Sequence, residues 1–395
     1  MREVVIVSAT RTPFGKFGGS LKNLQATDLG GIAISEALSR AKIQGSQVDE
    51  VIMGIVVPAG AGQIPGRQAS VKGGIPHHVP VVTINKVCGS ALKAVTLGAQ
   101  IIKAGDADVI VAGGMESMSN IPFLSYTERW GAKMGNQVSV DAMIQDGLWC
   151  PDNDVHMAVI GGQVAQEYEV SRDQQDKWAY RSQMRWNHAE SEGKFSDEIV
   201  PVPVKIKDKT TMIEKDEFPR PNTTLESLGK LPPVFTKTGS VTAGNAPGVN
   251  DGAAAVVIMS KDKAEELGLE PLATIKGYAQ VSRESKYIAT VPGLAIQKLF
   301  KKINKTHDDI DLFEINEAFA AVPLVSAKVL GLDEHTLENK VNVNGSAVAV
   351  GHPIGASGAR ILMTLIYELK RSKKKNGICA ICSGMAQGDA VYIEI

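Results

Sequence analysis

Neither sign of charge is in surplus in this chain of 395 residues: 42 Lys and Arg face 43 Asp and Glu, for a formal net charge of -1 at pH 7. Without an overall basic field, attraction to nucleic acid is not expected, and a polyanionic ligand needs a local patch. Cysteine is sparse as well. Four cysteines in no spaced framework do not describe a secreted disulfide scaffold, so the thiols are expected to be reduced. No apolar run approaches the ~20 residues of a membrane span. The opening Arg2 to Ala9 reads as a short buried strand and lacks the parts of a signal peptide. The closing Val391 to Ile395 is strand-like too and does not match the peroxisomal address. The expectation is a cytoplasmic globular protein with no nucleic-acid or membrane partner, long enough for two or three domains.

Two parts of the chain repeat one plan, which predicts a duplicated α/β unit. The first runs from Val48 through the turn at Cys88 and a helix to the strand at Asp108 to Met115; the second runs from Ile310 through Val341 to Gly345, the turn Gly355 to Gly358 and a helix to Ile378 to Met385. Short β-branched runs alternating with helices predict largely parallel sheets covered on both faces. Between the units, residues 119–249 are richer in Met, Trp, Asp and Lys and read as an inserted loop domain, a usual place for binding surfaces. It includes a polar helix start at Ser171 and the charged stretch Lys205 to Lys209. The basic run Lys370 to Lys375 reads as a solvated helix end.

Cys88 ends a β-type stretch, Thr83 to Val87, and opens a helical pattern in which Ala91, Leu92, Val95, Ala99 and Ile102 recur every three or four residues up to Gly105. A thiol on the first turn of a helix meets unpaired N–H groups and the positive end of the macrodipole, which predicts a lowered pKa. The same residue reads equally as a buried structural cysteine. Gly351-His352-Pro353-Ile354-Gly355-Ala356-Ser357-Gly358 is dense in glycine before a helix, yet it is neither a P-loop nor a dinucleotide turn. Its His352, stiffened by Pro353, is structural or catalytic on these grounds alone. Cys379 and Cys382 have Cys-x-x-Cys spacing. On a strand, residues three apart face opposite ways, and zinc would need a second ligand pair, so Cys382 at the strand end is the one able to reach a site. Asn316 precedes Glu317-Ala318-Phe319 at a strand end, where functional groups collect, but an asparagine there also caps helices.

Taken together, Asn85-Lys86-Val87-Cys88-Gly89-Ser90, Asn316-Glu317-Ala318-Phe319, Gly351 to Gly358 and Cys382 to Gly388 resemble the thiolase family, in the same order and over nearly the whole chain. Met115 to Ser119, Arg129 to Asn136 and Asp146 to Trp149 resemble its biosynthetic branch. The resemblance implies a five-layered αβαβα fold. Residues 1–118, completed by about 250–268, would form one half, 119–249 an insertion for CoA binding and oligomerisation, and 269–395 the other half. The helices begun at Cys88 and Gly358 would pack back to back.

The implied chemistry is the reversible Claisen condensation of two acetyl-CoA to acetoacetyl-CoA and CoA. Cys88 would be the nucleophile, His352 the group that takes its proton, and Cys382 the acid/base for the second substrate. The backbone N–H groups of Cys88 and Gly384 would form one oxyanion hole, and His352 with a water held by Asn316 the other. Leu148, His156, Arg220, Ser227, Phe235, Ala243, Ala318 and Phe319 match positions that line the CoA path. No metal or redox cofactor is implied, and the branch assembles as tetramers through a loop near residues 120 to 140.

Several positions depart from the family pattern. Ser383, Met385 and Ala386 stand near Gly384 where glycine or isoleucine is usual, with Met385 placed to narrow or reshape the acyl pocket; Pro247 replaces a serine, Ser346 a glycine, and Ile288-Ala289 a Met-Gly pair. These changes leave open a degradative 3-ketoacyl-CoA thiolase for longer chains, or a weakly catalytic acyl-CoA-binding protein.

Overall fold

The computed structural model describes residues 2–207 and 209–395. Strand β1 (Val4–Arg11) is buried throughout. After it come α1 (Ala26–Ala41), β2 (Glu50–Gly54), α2 (Pro65–Lys72), β3 (Val81–Ile84), α3 (Ser90–Ala104) and β4 (Val109–Ser117). An insertion carrying α4 (Met157–Glu167) and α5 (Arg172–Ser191) precedes β5 (Asn250–Ser260). The second half comprises β6 (Ala273–Ser282), α6 (Val291–Ile303), β7 (Leu312–Ile315), α7 (Ala321–Leu330), α8 (Ser357–Arg371), β8 (Asn376–Ser383) and β9 (Gln387–Glu394).

These strands lie in the order β7-β8-β9-β6-β1-β5-β4-β2-β3. The first half thus runs third, second, fourth, fifth, first. The second half repeats that order, with a single parallel bridge between Phe313 and Val341 where a third strand would lie. Asn342 explains the missing strand: at φ +46° its side chain accepts from the Ile315 N–H and donates to the Ile315 carbonyl, both at 2.8 Å. One amide replaces the ladder. The halves meet through their equivalent first strands, β1 and β6, over Val5–Thr274 and Ile6–Ala273.

Parallel pairing is confined to β3-β2-β4 and β7-β8; every other pair is antiparallel. The largely parallel sheets expected from the sequence are corrected here. The insertion takes the place of a crossover helix between β4 and β5, and β8 turns directly into β9, which antiparallel partners allow.

Helices α1 and α2 cover the outer face of the first half, and α6 with α7 covers that of the second; α3 and α8 lie between, touching each other and strands of both halves. This is the αβαβα layering. Alternation along the strands sorts side chains into separate cores. On β5, Ala254, Val256 and Ile258 face the central helices, while Ala253, Ala255, Val257 and Met259 face α1. The apolar stripe of α3 is fully buried at Ala91, Leu92, Val95, Ala99 and Ile102, and Gly105 at φ +94° ends the helix.

The insertion is tied to the halves by charge. Arg11 on β1 is wholly buried and pairs with Glu198 at 2.8 Å and Asp216 at 2.7 Å, both from the insertion. Glu198 also accepts from Thr364 of α8 at 3.0 Å. Ser171 caps α5 reciprocally with Gln174, and Val202–Ile206 pairs with Lys209–Ile213 as a hairpin.

The central helices pack tightly at Gly358, where a Cβ would lie 2.5 Å from the Leu92 nitrogen and 2.9 Å from its Cβ. Gly358→Ala should therefore destabilise the protein by about 1–3 kcal/mol through overpacking, read as a lower denaturation midpoint. An unchanged midpoint would mean the helices separate without cost.

Candidate active site

The tight turn between β3 and α3 that carries Cys88 is tied on several sides. Val87 sits at φ +45°, unfavourable for a β-branched residue, and its N–H donates to Asn85 Oδ1 at 2.9 Å. Asn85 Nδ2 reaches the Val56 carbonyl at 2.9 Å, and the Lys86 N–H donates to Ser90 Oγ at 2.8 Å. From the second half, Ser383 Oγ accepts from the Gly89 N–H at 2.8 Å, and Asp389 pairs with Lys86 at 2.7 Å. A Cβ on Gly89 would lie 2.4 Å from Ser383 Oγ, so a side chain there would push that hydroxyl off its bond to the turn.

At Cys88 burial outweighs the local N–H donors. Loss of hydration pushes its thiol up to about 12, and the nearby Glu116 adds to this against the opposing N–H groups of Cys88 itself and Gly384. The lowered pKa expected from the sequence is corrected on this point. Those two N–H groups aim at the sulfur, one from the turn that precedes α3 and one from the β8–β9 turn. Glu116 accepts from the N–H groups of Val56 at 2.9 Å, Val57 at 3.2 Å and Gly355. Burial raises its pKa to about 7 against these bonds. The carboxyl joins the loop after β2 to the turn that carries His352.

His352 is buried, and its backbone N–H donates to Asn250 Oδ1 at 2.9 Å. Its Nδ1 lies 2.6 Å from Ser357 Oγ, whose hydroxyl donates to the Pro353 carbonyl at 3.0 Å. With the serine proton assigned to that carbonyl, Nδ1 carries the imidazole proton and Nε2 the lone pair. Nε2 has no partner. Burial, then the Arg360 charge, lowers the His352 pKa to about 3, so the ring is a neutral base at pH 7.

Cys379 faces the core around α3 and α8, whereas Cys382 faces the opposite core. Burial, then its closeness to Cys88, raises the Cys382 pKa. Gly384, at the end of this strand, packs against Val87, with a Cβ there falling 3.1 Å from Val87 Cγ2. Asn316 does not cap a helix: α7 starts at Ala321 with Ala320 before it, which overturns the capping reading. Its Oδ1 instead accepts from Arg360 Nη2 at 3.0 Å, and its buried Nδ2 is unpartnered.

A cavity of about 370 Å³ opens on Cys88 and His352 and is lined by Leu148, His156, Phe235, Ala243, Ala318 and Phe319, together with Pro247 and Ile288. His156 stacks on Phe235 at 3.6 Å, and its Nδ1 accepts from the Ala158 N–H at 3.1 Å. Arg220 and Ser227 do not line this cavity. Arg220 sits outside it, over the Phe218 ring with Nη1 3.5 Å from the Ala243 carbonyl, and Ser227 is used in a capping box with Thr224. Met385 does not narrow the cavity either. At φ +60° it turns outward and lines a surface depression with Asp152 and Ser285.

Glu116, Asn250, Ser357 and Arg360 were not singled out from the sequence. Ser357 and Arg360 lie in or beside the glycine-rich segment, which was their one local signal. Among the described residues, no group of three His, Cys, Asp or Glu side chains is placed to hold a metal ion.

A duplicated αβαβα scaffold whose two central helices start at one buried thiol site is the architecture of thiolases. The Thiolase, N-terminal domain model matches residues 4–262 and the Thiolase, C-terminal domain model residues 269–395. The chain belongs to the thiolase family. It is 50% identical to an acetyl-CoA acetyltransferase of Cupriavidus necator over 100% of both chains. It is 47% identical to one of Allochromatium vinosum, over 99% of this chain and 98% of that one. The same identity holds for one of Syntrophomonas wolfei, over 100% of this chain and 99% of that one.

The buried neutral pair makes a pH prediction. Alkylation of Cys88 by iodoacetamide, followed by peptide mass spectrometry, should keep rising with pH beyond 9. A plateau between pH 6 and 8 would show a thiolate–imidazolium pair and refute the neutral assignment.

Proposed function

We propose that this chain is an acyltransferase that interconverts two acetyl-CoA with acetoacetyl-CoA and CoA through an acetyl-Cys88 intermediate. The observation that carries this reading is the convergence on one cavity of a thiol, two N–H donors at its sulfur and an imidazole with a free Nε2. Relatives matching it end to end and named acetyl-CoA acetyltransferase support the substrate.

In this mechanism His352 Nε2 takes the Cys88 proton as sulfur attacks the thioester carbonyl. The Cys88 and Gly384 N–H groups hold the oxyanion, and CoA leaves with a proton from Cys382. The Cys382 thiolate then removes a methyl proton from the second acetyl-CoA, whose enolate oxygen is held by His352 and an Asn316-bound water. Carbon attacks acetyl-Cys88, the Cys88 sulfur leaves, and His352 returns its proton. Acylation of a thiol of high pKa is unfavourable until the base acts, so ionisation and attack occur together.

The reading requires no resident metal or redox cofactor, since the thioester is already activated. CoA would lie against the insertion along His156, Phe235, Ala243 and Leu148, with Ala318 and Phe319 opposite and Arg220 and Ser227 further out for its phosphate and adenine end. We read the enzyme as cytoplasmic. Among the described residues no helix is long and apolar enough to cross a membrane. A homotetramer is supported by the insertion's exposed apolar side chains: Trp130 is 85% and Met134 94% exposed, with Phe123, Tyr126 and Val138 beside them in sequence.

Thiolysis of acetoacetyl-CoA should exceed that of a medium-chain 3-ketoacyl-CoA in kcat/KM, and Cys88→Ala should abolish both. Preference for the longer chain would replace this reading with a degradative one. Sedimentation should give a tetramer at micromolar concentration, lost in Trp130→Asp; a wild-type monomer would reject the assembly.

A further inference from the structure

Arg360 is a guanidinium with no exposure at all, in the first turn of α8, and the catalytic steps above do not use it. Its Nη1 donates to Glu314 Oε1 at 2.9 Å and to Ser346 Oγ at 3.0 Å. Its Nη2 donates to Asn316 Oδ1 and to Ser346 Oγ, both at 3.0 Å. The Ser346 hydroxyl in turn donates to Glu314 Oε1 at 2.8 Å. The guanidinium is thus clamped by a carboxylate and a hydroxyl before it reaches the asparagine.

Such a contact removes the ambiguity of an amide. A guanidinium only donates, so whatever it touches must accept. Asn316 is forced to turn its oxygen toward Arg360 and its NH₂ away. That NH₂ is buried and has no protein partner, a costly state unless water or a ligand accepts from it. Ala318 and Phe319, two and three residues on, line the cavity, so the Asn316 turn borders it.

We propose that Arg360, held by Glu314 and Ser346, is a positioning residue that fixes the Asn316 amide with its donor toward the second thioester. It acts on the carbon–carbon step and not on acetyl transfer to Cys88. The inference rests on the reaction proposed above and deepens it. Ser346, which departs from the family pattern, is one jaw of the clamp and not a neutral change.

The test separates the half-reactions. Exchange of labelled CoA into acetyl-CoA requires only acetyl-Cys88; thiolysis of acetoacetyl-CoA requires the carbon–carbon step as well. Arg360→Lys keeps the charge but loses the planar fork. It should lower kcat for thiolysis by about 100-fold, the scale of one lost oxyanion donor, with exchange within about threefold of wild type. Ser346→Ala, which removes one jaw and no charge, should lower thiolysis less and again leave exchange in place. An equal fall of both reactions in the variants, or no fall in thiolysis, would overturn the positioning role. If wild-type enzyme showed no exchange, the proposed reaction itself would fail, independently of Arg360.

Discussion

The contact between α3 and α8 governs the rest of the molecule. Both helices start at the same end of the central layer, one at the Cys88 turn and one at the His352 turn, and Gly358 lets them meet at Leu92. Helix ends are rigid points in an α/β scaffold. Fixing their separation fixes the thiol relative to the imidazole without any bond between the two turns.

That arrangement places the chemistry in a dry core, and dryness changes the physics. A thiol at an exposed helix N-terminus would ionise easily; here burial outweighs the donors aimed at its sulfur. The site instead keeps its reacting groups, Cys88, His352 and Cys382, neutral at rest, with orientation set by small polar links such as Ser357 on His352 and Arg360 on Asn316. Charge then develops only in the presence of substrate, where the preformed donors are worth most.

Much of this was legible in the sequence because period and turn residues are local. The buried stripe of α3, its glycine stop and the duplicated plan all follow from spacing. Sheet direction was not legible, since β8 and β9 reverse through a turn that looks like any strand end. The motif residues Cys88 and His352 reach one cavity. Arg220 and Ser227 do not, because placement on the insertion depends on contacts between distant segments. Arg360 escaped notice for a simple reason: an arginine in a helix reads as solvent-facing, and its partners Glu314 and Asn316 lie more than 40 positions earlier.

The buried ion cluster at Arg11 bears on how the fold could have been assembled. Its carboxylates come from the insertion, while Arg11 and Thr364 come from opposite halves. Deleting the insertion would strand a guanidinium in the core with no counter-charge, a penalty that typically reaches several kcal/mol. A minimal scaffold of the two halves alone is therefore not obtained by subtraction; position 11 would first have to become apolar. The arginine makes the insertion a structural dependency of the two halves it joins.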